Sequence, residues 1–280
     1  MSLASGFSVT YEGIKLIGYS VAGITTSIAM PDAEVCFDVG QGLPYQIPIP
    51  NILLTHGHMD HASGIPYLIA MKNMTSQPVP DIYMPESLVE NMKELMKVWA
   101  KIDQHTYRFN FIPVANGQAV PLKNPYYFKP FRTIHRVDSH GYTIFEKKKK
   151  LKEEFKDLAP AELGLLRRQG RVLDDFMEEP VLSFTGDTKI EFLDSEQVRK
   201  SRVLVMEVTY WDKKKTVANA REWGHIHFDE LLERAETLEC RKVVLIHASA
   251  RYNTAYLEQI LAARLPEHLK DRFTLFPRPM

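Results

Sequence analysis

At 280 residues, with 45% hydrophobic, 25% charged and 10% aromatic side chains, the chain carries enough apolar material for a sizeable core and no sign of disorder. Lys+Arg and Asp+Glu are 35 each, so attraction to nucleic acid has to come from a local patch rather than from net charge. No apolar run approaches the roughly 18 residues that span a bilayer, Met1–Ser5 has neither the basic start nor the apolar centre of a signal peptide, and the two cysteines, Cys36 and Cys240, read as buried free thiols of a reducing cytoplasm.

The first third reads as short strands, Ile14–Tyr19, Ile24–Ala29, Glu34–Val39 and Asn51–Thr55, punctuated by Gly and Pro. The apolar spacing becomes helical from Ala62 to Met74. Asp81–Met84 reads as a strand, and Ser87 caps an amphipathic helix running through Lys101. Alternation near Tyr107–Ile112, Tyr126–His135 and Tyr142–Glu146 continues the sheet.

Residues 147–171 form the most polar stretch and read as an insertion over the surface, with Lys147–Lys150 a solvated turn and Pro160 beginning a short helix. Strands Val181–Thr185 and Arg202–Thr209 follow, then helix Phe228–Glu239, strand Lys242–His247, helix Thr254–Leu265 and a last strand, Phe273–Phe276. Two groups of strands with helices between and after them suggest one α/β domain over 1–280, built of two sheets with helices on the outer faces.

The chemistry is concentrated in Thr55-His56-Gly57-His58-Met59-Asp60-His61, which places four metal-ligand side chains within six residues. The run directly follows the apolar Ile52-Leu53-Leu54 and directly precedes a helix. A strand end holds ligands rigidly while leaving them open to solvent. Imidazole and carboxylate are a zinc ligand set, and a loop this tight cannot wrap all four groups around one ion. The spacing therefore favours two adjacent ions. Further candidates also end strands: Asp187 in the turn Thr185-Gly186-Asp187-Thr188, His247 after Val243–Ile246, and His135 after Phe131–Ile134.

The run Leu54–His61 resembles the signature motif of the metallo-β-lactamase superfamily, an αββα sandwich of two mixed sheets with outer helices and a dinuclear site. Phe184-Thr185-Gly186-Asp187-Thr188, Met206–Tyr210, Trp223-Gly224-His225-Ile226-His227 and Leu245–Tyr252 narrow the resemblance to the ribonuclease Z (tRNase Z) family. Lys150-Leu151-Lys152 and Ala161–Arg168 are similar to its short plant form.

The resemblance implies one zinc on His56, His58 and His135, a second on Asp60, His61 and His247, and Asp187 bridging, with manganese or iron fitting the same ligands. His140 rivals His135, but the family places its histidine a few residues before a Gly-Tyr pair, here Gly141-Tyr142. Asp38 matches an aspartate that orients the site from behind the ligands.

Glu207 and His225 resemble a carboxylate–histidine pair that delivers a proton to a leaving ribose oxygen, and Asp60 doubles as a proton acceptor. Arg251 and Tyr252 are implied substrate contacts. At position 227 the family carries a small hydroxyl residue where this chain has His227.

The implied function is a zinc-dependent phosphodiesterase, a tRNA 3′-processing endoribonuclease acting on precursor tRNA to leave a 3′-hydroxyl, and working as a cytoplasmic homodimer away from membranes. The alternative is another hydrolase of the superfamily, acting on a small ester, thioester, lactone or cyclic phosphodiester. The family's Gly-rich N-terminal loop and glycine/proline-rich arm have no counterpart as such. Residues 77–104 offer an amphipathic helix with Lys93, Lys97 and Lys101 instead.

Overall fold

The computed structural model describes residues 5–278; the reading of the first four residues as lacking a signal peptide lies outside them. In the first half, β1 (Phe7–Tyr11), β2 (Ile14–Val21), β3 (Thr25–Met30) and β4 (Val35–Phe37) are antiparallel neighbours. From there β5 (Asn51–Leu53), β6 (Asp81–Met84) and β7 (Asn110–Pro113) continue the sheet in parallel. The short helix α1 (Met59–Ala62) and α2 (Ile65–Met74) connect β5 to β6, and α3 (Glu86–Asp103) connects β6 to β7. Such crossovers are what parallel neighbours require.

The second half repeats the plan. Antiparallel pairs join β8 (Val120–Pro121), β9 (Tyr126–Arg132), β10 (His140–Leu151) and β11 (Asp174–Phe184), with α4 (Pro160–Arg168) between the last two. After α5 (Glu196–Arg199) comes β12 (Val203–Glu207), parallel to β11. Helices α6 (Val217–Glu222) and α7 (Phe228–Arg234) lead to β13 (Lys242–Ile246), and α8 (Thr254–Arg264) leads to β14 (Phe273–Leu275). Each half is thus a seven-stranded sheet in sequential order.

The sheets pack face to face. Leu16, Ile28, Phe37 and Leu53 meet Phe128, Tyr142, Phe184, Val205 and Val244, all buried, and Phe37 stacks on Phe184 with ring centroids 4.7 Å apart. Ile52, Ile82 and Met84 on the outer face of the first sheet bury Ile65, Leu68, Ile69, Val89 and Met96 of α2 and α3. On the second sheet, Leu204, Val243 and Leu245 cover Phe228, Leu231 and Leu257 of α7 and α8. The layers are α, β, β, α, the architecture expected from the resemblance. Fully burying one such side chain is worth about 1.5–3 kcal/mol, so all three apolar layers contribute to stability.

Four local readings differ from the structure, the first being Ser87, which lies inside α3 with its hydroxyl donating to Asp138, while Pro85 precedes the helix. Lys147–Lys150 is not a turn: it prolongs β10, with Lys147 opposite Glu178 and Lys150 opposite Asp175 on β11. A run of like charge hides the alternation of a strand, and the strand opposite it, with Glu178 and Asp175, lies 25 or more residues away. The helix over 62–74 is broken at Ser63-Gly64, where the Gly64 amide donates to the Gly40 carbonyl and a Cβ would meet the Gly42 nitrogen at 2.1 Å. The helix from Phe228 stops at Arg234 and gives way to a 3₁₀ turn over Ala235–Thr237.

Candidate metal centre

Parallel strands bring their C-terminal ends to one edge of each sheet, and this is where the chemistry collects. Asp38 follows β4, His56–His61 follow β5, His135 follows β9, Asp187 follows β11, Glu207 ends β12 and His247 follows β13. Two of these residues have left-handed backbones, Asp38 (φ 56) and His247 (φ 59). Neither is a glycine, so each costs of order 1–3 kcal/mol that packing elsewhere must offset, a pattern that concentrates at functional sites.

Candidate ligand atoms fall into two main groups, each within 4.8 Å: His56, His58, His135 and Asp187, then Asp60, His61 and His247; a third, overlapping set joins His225 to Asp187 and His247. Asp187 touches both, at 3.7 Å from His56 Nε2 and 3.3 Å from the Nε2 atoms of His61 and His247. His140, the rival of His135, stands in none of the groups; its amide donates to the Thr55 carbonyl and its ring packs against Tyr142.

The imidazoles are oriented by their other nitrogens. The Thr55 hydroxyl donates to Asp38 (2.9 Å), so it accepts from His56 Nδ1 (2.9 Å). Asp38 also accepts from His61 Nδ1 (2.7 Å) and from the Thr55 amide. His135 Nδ1 donates to the Gly224 carbonyl at 2.8 Å. A Cβ on Gly224 would meet that nitrogen at 2.6 Å, so only glycine lets the backbone come so close.

In the second half the Thr209 hydroxyl donates to Glu207 (2.6 Å) and accepts from His247 Nδ1 (2.9 Å). Four rings thereby turn Nε2 towards the centre, and His58 turns Nδ1, 3.1 Å from His135 Nε2. These proton positions follow from the hydrogen-bond network.

A divalent cation fits this donor set. His56 Nε2 and Asp187 Oδ1 are buried and find no hydrogen-bond partner of good geometry, a condition that normally costs about 1–3 kcal/mol per group. Burial pushes His56, His58 and His135 below the usual imidazole range, towards the neutral form that ligates. Burial would raise the Asp187 carboxyl, but His247 and His61 outweigh it and keep it ionised. Asp60 reaches the Gly23 amide at 2.7 Å and His247 Nε2 at 3.4 Å.

Beside this cluster Glu207 is fully buried, accepting from the Thr188 amide at 2.9 Å and lying 3.0 Å from His225 Nδ1. Burial works to lower the His225 pKa, yet the adjacent carboxylate lifts it to about 9. His225 is therefore held towards its cationic form, with Nδ1 engaged by the carboxylate.

Tyr210 lies 6.1 Å from the His225 ring and 5.5 Å from the Arg251 guanidinium, which also sits over Tyr252. Tyr252 is buried, and its hydroxyl donates to Asp212 and accepts from the Trp211 amide; it supports the site rather than facing outward.

Sequence reasoning passed over Thr55, Thr209 and the Gly224 carbonyl. Thr209 had a signal: it stands two residues after Glu207, a spacing that returns a side chain to the same side of an extended segment.

A family model described as a beta-lactamase superfamily domain matches residues 39–248. The chain is 33% identical to tRNase Z TRZ1 of Arabidopsis thaliana over 264 residues, covering 93% of this chain and 94% of that relative. With the chloroplastic tRNase Z TRZ2 of the same plant it is 28% identical, over 96% of this chain and 78% of the relative. Among solved structures, the short form of human tRNase Z has a TM-score of 0.59 at 18% identity, covering 99% and 96% of the two chains. The metallo-beta-lactamase fold protein YhfI of Bacillus subtilis has a TM-score of 0.62 at 12% identity, covering 94% and 95%. Both share the fold.

Proposed function

We propose that this chain, which belongs to the tRNase Z family of the beta-lactamase superfamily, is an endoribonuclease that trims precursor tRNA and leaves a 3′-hydroxyl. The observation that carries the reading beyond a generic metal hydrolase is the Glu207–His225 pair beside the His/Asp cluster. A ribose 3′-oxygen is a poor leaving group and needs a proton as the P–O bond breaks. A histidine kept cationic by a buried carboxylate supplies one from Nε2.

His56, His58 and His135 would hold one zinc ion, and Asp60, His61 and His247 the other, with Asp187 between them; manganese or iron suits the same ligands. Such a pair, when bound, supplies an activated water and offsets charge developing on the scissile phosphate. Asp60 takes up the proton that the attacking water gives away. Asp38, Thr55, Thr209 and Gly224 keep the imidazoles aimed, and Arg251 stands ready for a substrate phosphate.

The α3 helix exposes Leu95, Val98, Trp99 and Ile102 along one stripe. Glu90–Lys93 and Glu94–Lys97 pair within the helix beside that stripe, leaving its apolar surface without unpaired charge from those residues. This supports a homodimer, which light scattering at twice the subunit mass would test. Two buried free thiols suit a reducing compartment such as the cytoplasm, and no described helix is long and apolar enough to cross a membrane. Incubation with precursor tRNA and a divalent metal tests the activity; cleavage of an aryl ester without any RNA cleavage would reject it.

A further inference from the structure

The segment Trp211–Thr216 leaves the catalytic edge just beyond Glu207 and carries three consecutive lysines, Lys213, Lys214 and Lys215. None has an ion-pair or side-chain hydrogen-bond partner among the described residues, and Lys213 and Lys214 are exposed. A free charge run on a loop is ordinarily just solvated. Here the base of the loop is fixed from three directions.

The Asp212 side chain accepts from the Tyr252 hydroxyl at 3.3 Å and from the Lys214 amide at 3.0 Å, so the one acid in the segment is turned onto its own support. The Asp212 carbonyl accepts from His227 Nε2 at 3.2 Å, while His227 Nδ1 caps α7 by accepting from the Asp229 amide. His227, the departure from the family's small hydroxyl residue, thus ties the lysine loop to α7. It is 2% exposed and has no free atom for substrate.

The loop forms one wall of a groove lined by Asp212, Lys214, Arg251, Tyr252, Asn253 and Tyr256. Tyr256 stacks on Tyr252 with centroids 5.8 Å apart and remains 37% exposed, an aromatic face open to a base. Arg251 joins this groove to the catalytic edge, since Tyr210 touches both Arg251 and His225.

We propose that this groove binds the RNA strand upstream of the scissile phosphate, with Lys214 and Arg251 on its phosphates, Lys213 and Lys215 adding to the positive charge beside it, and Tyr256 under a base. The direction follows from the chemistry: His225 protonates the departing 3′-oxygen, so the strand attached to that oxygen lies on the His225 side, where the groove begins. The inference rests on the endoribonuclease reading.

The test compares wild type with Lys213→Ala/Lys214→Ala/Lys215→Ala, the charge-preserving triple arginine variant, Lys214→Glu alone and Tyr256→Ala. It measures KM and the salt dependence of binding on precursor tRNA with long and one-nucleotide trailers. Metal content and melting temperature check each fold. The alanine triple should raise KM about tenfold and flatten the plot of log affinity against log salt by up to about 2 units, from roughly 0.7 per lost phosphate contact.

The arginine triple should restore both values, Lys214→Glu should raise KM, and Tyr256→Ala should weaken binding roughly tenfold. The penalties should persist when the trailer is one nucleotide long. Wild-type KM and salt slope in the alanine triple would overturn the groove, as would penalties that vanish with the short trailer. Wild-type protein that cleaves no precursor tRNA would instead sink the endoribonuclease reading itself.

Discussion

The Glu207 carboxylate lies 3.0 Å from His225 Nδ1, is fully buried, and holds that imidazole cationic up to about pH 9. A carboxylate with no solvent exposure is a costly arrangement for the fold alone, and it stands where a leaving oxygen needs a proton.

His225→Ala should therefore leave metal content unchanged and lower kcat on RNA by about 10²–10⁴, the usual worth of a positioned acid. Glu207→Gln should lose much of the same, and the double variant should be little worse than His225→Ala, because the two act as a unit. Metal analysis beside single-turnover cleavage checks this. Loss of metal in His225→Ala would make the residue a ligand instead of an acid.

His247 reaches Asp60 and Asp187 from the other end of the sequence, at 3.4 and 3.3 Å. We expect His247→Ala to lower the metal bound per chain and to abolish turnover. A fully metallated, fully active variant would contradict the ligand assignment.

The Thr209 hydroxyl has one proton, donates it to Glu207 and must accept from His247 Nδ1. Thr209→Val should weaken metal binding about 10–100-fold, the typical cost of losing a group that orients a ligand. Thr209→Ser should recover most of it. Equal metal affinity in the valine and wild-type proteins would show that the hydroxyl does not position His247.

How far such details could be read beforehand depends on sequence separation. The His56–His61 run stood out because four ligand-type side chains sit on one tight loop, and Asp187 and His247 because each comes shortly after an apolar strand. The two-sheet sandwich was legible from the grouping of strands. The seven-on-seven order was not, since strand neighbours are set by backbone pairing between segments that no local pattern records.

The β10 lysines were misread because their partners are on β11, and β1 was missed because its alternation in Phe7–Tyr11 is only half buried. Thr55 and Thr209 escaped notice because a threonine at a strand end is ordinary until the imidazole it orients is seen. His227 looked like an anomaly until the loop it ties down was in view.

One consequence of packing lies far from the metal centre. Lys72 on α2 is 1% exposed, and its ammonium donates to the Ile47 and Ile49 carbonyls at 2.7 and 2.5 Å. Burial pushes its pKa from 10.5 to about 8. Between those values the unfolded chain binds a proton that the folded chain does not, so the stability contributed by Lys72 rises with pH across that window, by at most about 3 kcal/mol. Below pH 8 the cost of burying the charge is constant. Relative to Lys72→Met, wild type should gain in urea midpoint from pH 8 to pH 10. A gap that does not move over that range would show an ordinary, hydrated amine.

The central claim is the cleavage of precursor tRNA, and the most direct measurement maps both new ends after incubation with metal-loaded protein. The account predicts a single cut at the 3′ boundary of the mature tRNA, a 3′-hydroxyl on the tRNA and a 5′-phosphate on the released trailer. A 3′-phosphate or 2′,3′-cyclic phosphate on the tRNA, or intact RNA alongside hydrolysis of a small ester, would contradict it.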